Sequence, residues 1–290
     1  MVVKPGLEEQ ILALETWLKT QPQLPQNIDK LFLKRFIHSM NGDLDGAKRL
    51  LEFNFKLRNK HSEIFLKRDP LDESSQKLLQ VADLIPLPGK TPDNYKLLIY
   101  RLIDHDADKF NFTDSIKVFF MMSDCRFAIN DEPDDGEVPI FDMSGYSLRH
   151  LTKTVLSVLR VYMKFVQEAH PVRIRQIHVL NSPSYLDKVL TVIKPFMKSE
   201  VFKLIHFHLP NADTPYEYFP REMLPLEYGG KAGSLKELKA FWMQKLEEKR
   251  DYLMDPSRWQ MDKSKKPLKS TEKSAKSPDL TQSLKTLEID

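Results

Sequence analysis

Residues 219–230 read FPREMLPLEYGG. The glycine pair that ends this stretch implies a tight turn that a Cβ would block. It closes a region in which short β-forming segments alternate with longer helical ones. Reading backwards, the β-forming segments are residues 204–209 (LIHFHL), 174–180 (IRQIHVL), 138–143 and 95–102 (YKLLIYRL). The stretches between them, 115–129, 147–169 and 184–202, have helical spacing. Short strands alternating with longer helices predict an α/β domain with a mostly parallel sheet. The strand segments read as buried on both faces, as such sheets require.

Ahead of PLPG at residues 86–89 the pattern is entirely helical. Leu7, Ile11, Leu14 and Leu18 recur at three- and four-residue spacing. The prolines in residues 21–26 (QPQLPQ) stop that helix. A second helix over 28–40 ends at Asn41-Gly42, and Asp43 is placed to cap a third that runs to about Asn59. We therefore expect an all-helical unit over residues 1–85 and an α/β unit over 86–254 that finishes in a helix at 234–252. Residues 255–290 are rich in lysine and serine and poor in large apolar residues. We expect them to be disordered, a solubilising tail, because they cannot bury enough surface to offset their ordering entropy.

Bulk composition narrows the chemistry. The 290 residues are 41% hydrophobic and 29% charged, enough for a large core and a solvated surface. The net charge of +3 gives no reason to expect a nucleic-acid partner. A single cysteine, Cys125, excludes an internal disulfide and suits a reducing compartment. The N-terminal residues do not read as a signal peptide, and no apolar run approaches the roughly 18 residues that span a bilayer. We expect a cytoplasmic monomer whose membrane contact is transient.

Catalytic signatures are missing. There is no Walker loop, no GxGxxG after a strand, no HExxH and no GxSxG. His206 and His208 would share one side of a strand, but no cysteine or carboxylate lies near in sequence to complete a metal site. We read them as packed histidines. Cys125 has no nucleophile motif around it, and the alternating Asp104, Asp106 and Asp108 lack the glycine and distant glutamate of a calcium loop. No catalytic residue, metal ligand or cofactor is assigned.

The segment FPREMLPLEYGG resembles the terminal signature of the CRAL-TRIO family, FPxExLPxEYGG. Other pieces occur in the same order. IRQIHVLNSP (174–183) is similar to the family's G-I-H-x-I-N-x-P, with Gln176 in place of the glycine. IKPFM (193–197) matches I-K-P-F in the family's lid helix, and FDMSGYS (141–147) resembles F-D-x-x-G-x-S. FLKRFIHSMNGDLDGAKRLLE (32–52) resembles the helical lead domain, and RDP (68–70) recurs in the animal branch. The flavour is that of the retinaldehyde-binding and α-tocopherol-transfer group. The resemblance covers residues 5 to about 255. It implies an all-helical lead domain followed by an α/β cage with a helical lid, and a carrier with no enzymatic activity.

On that reading residues 184–202 are the lid. They carry Tyr185, Val189, Leu190, Ile193, Phe196 and Met197 on a broad apolar face, with Pro195 as a kink. Phe119, Phe120, Met122, Leu156, Leu159 and Tyr162 are the candidate lining from earlier helices. Ordinary core packing accounts for any one of these residues equally well. A cargo burying about fifteen CH₂ groups gains roughly 12 kcal/mol, so it leaves slowly into water and needs a lid that opens at a membrane.

The resemblance also implies a phosphoinositide contact at Arg173 and Arg175, whose alternation aims both side chains one way. Two further basic positions of the tocopherol-transfer branch are Glu200 and Leu204 here, leaving Lys198 and Lys203 nearby as substitutes. The expected partners are a hydrophobic lipid and anionic membranes. A phospholipid cargo, or a phosphoinositide-sensing adaptor without cargo, is the alternative.

Overall fold

In a computed structural model of the chain, residues 6–129 and 134–268 are described. Helices α1 (Leu7–Lys19), α2 (Lys30–Ser39) and α3 (Leu44–Lys60) form the lead unit. Their starts follow local capping chemistry: Asp29 accepts from the Phe32 amide at 2.8 Å and Asp43 from the Gly46 amide at 3.0 Å. α2 ends where Asn41 and Gly42 both take positive φ. The apolar stripes of the three helices meet around Phe32, Phe36, Leu51 and Phe55. Two shorter helices, α4 (Ser62–Phe65) and α5 (Glu73–Val81), lead into the sheet.

The sheet has five strands in sequence order: β1 (Ala82–Pro86), β2 (Tyr95–Leu102), β3 (Gly136–Asp142), β4 (Ile177–Leu180) and β5 (Ile205–Phe207). β1 pairs antiparallel with β2; every later pairing is parallel. α6 (Phe112–Phe127) connects β2 to β3. α7 (Leu148–Thr152) and α8 (Leu156–Glu168) connect β3 to β4. α9 (Leu186–Ile193) and α10 (Ser199–Phe202) connect β4 to β5. α11 (Leu235–Glu248), α12 (Arg250–Met254) and α13 (Pro256–Trp259) follow, with Trp242 of α11 buried in the core beneath the sheet.

Strand pairing lines residues up across the sheet. Leu84, Tyr100, Phe141, Val179 and Phe207 form one row on one face. The next row, Ile85, Ile99, Ile140, His178 and His206, points the other way because successive side chains alternate. The segment 219–230 braces this sheet. Tyr228 donates to the Asp142 carboxylate at the end of β3 (2.7 Å), and the Gly230 amide returns to the Pro225 carbonyl at 3.1 Å. A Cβ on Gly230 would lie 1.9 Å from the Leu224 carbonyl oxygen, so this position takes glycine alone.

Four expectations need correcting. β1 lies ahead of the PLPG segment and belongs to the sheet. The helix expected over 147–169 is two helices, and the lid helix over 184–202 is broken: a 3₁₀ turn at Lys194–Phe196 carries Pro195 and separates α9 from α10. The tail expected to be disordered from residue 255 is ordered at its start. Trp259 is buried against Phe32 and Phe55, the Asp262 amide donates to the Gln23 carbonyl and the Leu268 amide to the Thr20 carbonyl. One tryptophan supplies the apolar area that the composition of the segment lacks. Residues 269–290 lie outside the described residues.

Candidate functional site

The row Leu84–Tyr100–Phe141–Val179–Phe207 is the floor of a cavity of about 360 Å³. That volume is within the range of small-molecule sites. α6 contributes Phe119, and α8 contributes Leu159, Tyr162, Met163 and Val166 from one helical face. The roof is α9. Leu186, Val189, Leu190 and Ile193 recur at three- and four-residue spacing and all face the cavity, with Met197 just beyond. No residue of α9, the 3₁₀ turn or α10 is buried. An apolar helix face over a void, instead of over packed atoms, is what a removable roof requires.

Seven of the twelve expected lining residues meet in this cavity: Phe119, Leu159, Tyr162, Val189, Leu190, Ile193 and Met197. Phe120 does not; its ring packs between Phe65 (4.5 Å) and Phe165 (4.8 Å). Met122 is in the core that includes Leu97 and Trp242. Residues 119–122 sweep around a whole helical turn, so they cannot all face one void. Leu156 is exposed at the start of α8. Tyr185 turns its hydroxyl to the Tyr146 carbonyl, and Phe196 lies under the Arg160 guanidinium at 5.5 Å. The floor residues Tyr100, Phe141, Val179 and Phe207 were missed. Strands covered on both faces carry no alternation to mark which face meets a void.

Three of the four basic residues are internally engaged. Arg173 lies 3.6 Å from the Asp135 carboxylate and 2.7 Å from His38 Nε2, and it donates to Asn41. Arg175 Nε donates to the Asp135 carbonyl at 3.0 Å, with its guanidinium over Tyr95. Lys198 pairs with Glu168 of α8 at 3.0 Å. Lys203 is exposed at the end of α10. Arg173 and Arg175 therefore share Asp135, and Lys198 is drawn elsewhere. They flank an isolated bridge at Ile174 instead of opening a strand.

The remaining reactive groups are quiet. Burial pushes the Cys125 thiol up to about 12, which leaves no thiolate for nucleophilic work. His178 stacks between His206 (5.1 Å) and His208 (5.2 Å), on the face away from the cavity. Its Nδ1 is 2.9 Å from His208 Nε2, and His208 Nδ1 is 2.7 Å from the Thr214 hydroxyl. Burial, then the neighbouring imidazoles, lower His178 to about 3. Among the described residues no cluster of three or more metal-ligating side chains is arranged to hold an ion. Also among them, no helix is long and apolar enough to cross a membrane.

Comparison with known proteins agrees with this geometry. Residues 82–230 match the model for the CRAL/TRIO domain, and residues 4–75 match one described as Pinta-like, UBA domain. The human alpha-tocopherol transfer protein-like protein is 26% identical over 217 residues, covering 75% of this chain and 63% of the relative. Rat clavesin-1 is 26% identical over 227 residues, covering 77% of this chain and 64% of the relative. The chain thus spans somewhat under two thirds of the length of these relatives. The crystal structure of Sfh5 superposes with a TM-score of 0.50 at 13% identity, covering 86% of this chain and all of the other, a likeness of fold alone. With the matched domain taking in the sheet, the cavity and its roof, the chain belongs to the CRAL/TRIO family.

Proposed function

We propose that this chain carries one hydrophobic molecule, of retinoid or tocopherol kind, in the cavity under α9 and exchanges it at membranes without altering it. The observation that supports this most is the roof. Four apolar side chains of α9 face a void, and no residue of that helix is buried in the core. Lifting α9 therefore breaks few core contacts, and its apolar face then meets a bilayer interface in the way amphipathic helices do. Native mass spectrometry of the purified protein, followed by organic extraction, tests the reading. A single hydrophobic molecule at one-to-one stoichiometry is the expected result. An empty protein that takes up neither retinoids, tocopherols nor phospholipids would sink it.

Docking on anionic membranes is the second part of the proposal. Arg173 and Arg175 are the forks that suit a phosphate, with Lys198 and Lys203 on the roof side. Their internal acceptor, Asp135, competes with any headgroup. Replacing both arginines by alanine is expected to weaken binding to phosphoinositide vesicles severalfold. Asp135→Asn is expected to strengthen it. Equal vesicle binding by all three proteins contradicts this part and leaves the cavity reading untouched.

A further inference from the structure

The cavity is apolar almost throughout, but several polar side chains reach its wall, and their partners reveal what it can hold. Arg101 donates to Asp83 at 2.8 Å, and Lys239 faces the same carboxylate at 3.1 Å. Glu137 is paired with Arg126, which also donates to Asp134. Asp142 accepts from Asn181 at 2.8 Å and from Tyr228 at 2.7 Å. No charge on the wall is left for a cargo.

The neutral groups are nearly all committed as well. His170 bonds the Ser123 hydroxyl at 2.8 Å. Gln167 donates to the Met163 and Phe196 carbonyls and accepts from the Lys198 amide. Ser115 donates to the Phe112 carbonyl. Tyr146 bonds Thr154, and its carbonyl accepts from Tyr185.

Two hydroxyls are the exception. Tyr100 on β2 and Tyr162 on α8 both line the cavity, and neither hydroxyl has a hydrogen-bond partner among the described residues. Both rings pack on Phe119, at 5.6 Å and 5.2 Å, so the two tyrosines neighbour one ring, one from the floor and one from the wall. Burial raises both above the ordinary tyrosine value, and Tyr162 adds to the shift on Tyr100. They therefore remain protonated and able to donate.

We infer that Tyr100 and Tyr162 are the polar anchor of the site, and that its cargo is an uncharged lipid with a single oxygen function, a hydroxyl or carbonyl, at one end. This rests on the carrier reading and narrows its cargo. The oxygen function accepts from these phenols while the rest of the molecule lies on the apolar walls. A hydrocarbon of the same shape takes the phenols away from water and gives nothing back, leaving both unsatisfied. A carboxylate or phosphodiester brings a charge into a wall whose cations are already spent.

Three molecules with one branched skeleton separate these cases: phytol, phytane and phytanic acid. Loading of the full chain with each is measured by native mass spectrometry over a concentration series. Phytol is expected to bind about tenfold more tightly than phytane, from two net hydrogen bonds, and phytanic acid more weakly than phytol. The double variant Tyr100→Phe, Tyr162→Phe keeps the ring packing. It is expected to lose the preference for phytol while loading phytane more tightly than the unaltered protein does, because no phenol is left unsatisfied, and that loading also shows that it is folded. Equal loading of phytol and phytane overturns the anchor but leaves a carrier. So does a preference for phytanic acid, or stoichiometric uptake of phosphatidylinositol from vesicles. Failure to load any of the four overturns the carrier reading itself, and the anchor with it.

Discussion

Asp124 lies on α6, yet its charge is answered from far away in the chain. Arg58 of α3 meets it with two 2.8 Å bonds, and Arg68, from the segment after α4, meets one of its oxygens. Burial alone would raise this carboxyl; the two guanidiniums bring it below the usual carboxylate range. Arg58 also bonds Asn54, which donates to the Ala169 carbonyl, and both guanidiniums lie over Trp259 at 4.9 Å and 4.8 Å. Asp124→Asn leaves two buried cations without their counter-charge, and we expect it to cost about 3–5 kcal/mol in urea unfolding. A loss under about 1 kcal/mol would mean that the cations find another partner. Glycine chemistry gives a second test at this scale. Gly230→Ala drives a methyl into the backbone oxygen of Leu224, which no rotamer change can relieve. Gly89 has φ +68 but open space around it, so Gly89→Ala pays only the left-handed penalty of about 1 kcal/mol. We expect the Gly230 variant to be the less stable of the two, by about 1–3 kcal/mol; equal melting temperatures contradict this.

At the scale of elements, the roof differs from the sheet beneath it. β2 and β3 hold Leu97, Ile99, Val138 and Ile140 almost wholly buried, whereas α9 and α10 bury none of their residues. Local opening is cheap where few contacts must break. In the cargo-free protein, amides of residues 186–202 are therefore expected to exchange with solvent orders of magnitude faster than those of β2 and β3, and loading with cargo is expected to slow them. Equal protection in the roof and the central strands would exclude a movable roof. Elements also show what was legible beforehand. The lead helices and four of the strands followed from caps and apolar spacing, which are local. β1 did not. It follows α5 without a break, and its Asp83 reads as a solvent-facing charge until Arg101 and Lys239 are brought to it. The roof residues were visible from their helical stripe. The sheet floor and the pairing of Tyr100 with Tyr162 depend on register between strands and on a helix sixty residues away, which no window of sequence contains.

At the scale of the whole molecule, the lead unit and the cage share their core. The Arg58–Asp124–Arg68 cluster and the packing of Phe127 and Trp259 among Phe32 and Phe55 cross between them. One cooperative unfolding transition is expected, and its pH dependence has a definite sign. His170 sits among Phe120, Phe127 and Phe165 where the two units meet; His178 is buried against Phe219 on the sheet face opposite the cavity. Burial, before any neighbour, lowers each to about 3. An unfolded histidine titrates near 6.5. The folded protein therefore binds fewer protons than the unfolded chain below that pH. The stabilisation is complete above about pH 6.5 and is lost as pH falls from there toward 3. Each histidine contributes about 1.4 kcal/mol per pH unit across that window, so roughly 2 kcal/mol apiece is lost by pH 5. Urea unfolding at pH 7.5 and pH 5 measures this directly. Replacing His178 by glutamine keeps a hydrogen-bonding side chain but removes the titration, and is expected to take away roughly 2 kcal/mol of the acid-induced loss. An unchanged pH slope in that variant would mean that His178 takes up a proton in the folded protein at ordinary acidity, and that the stack of three imidazoles at the sheet edge is open to water.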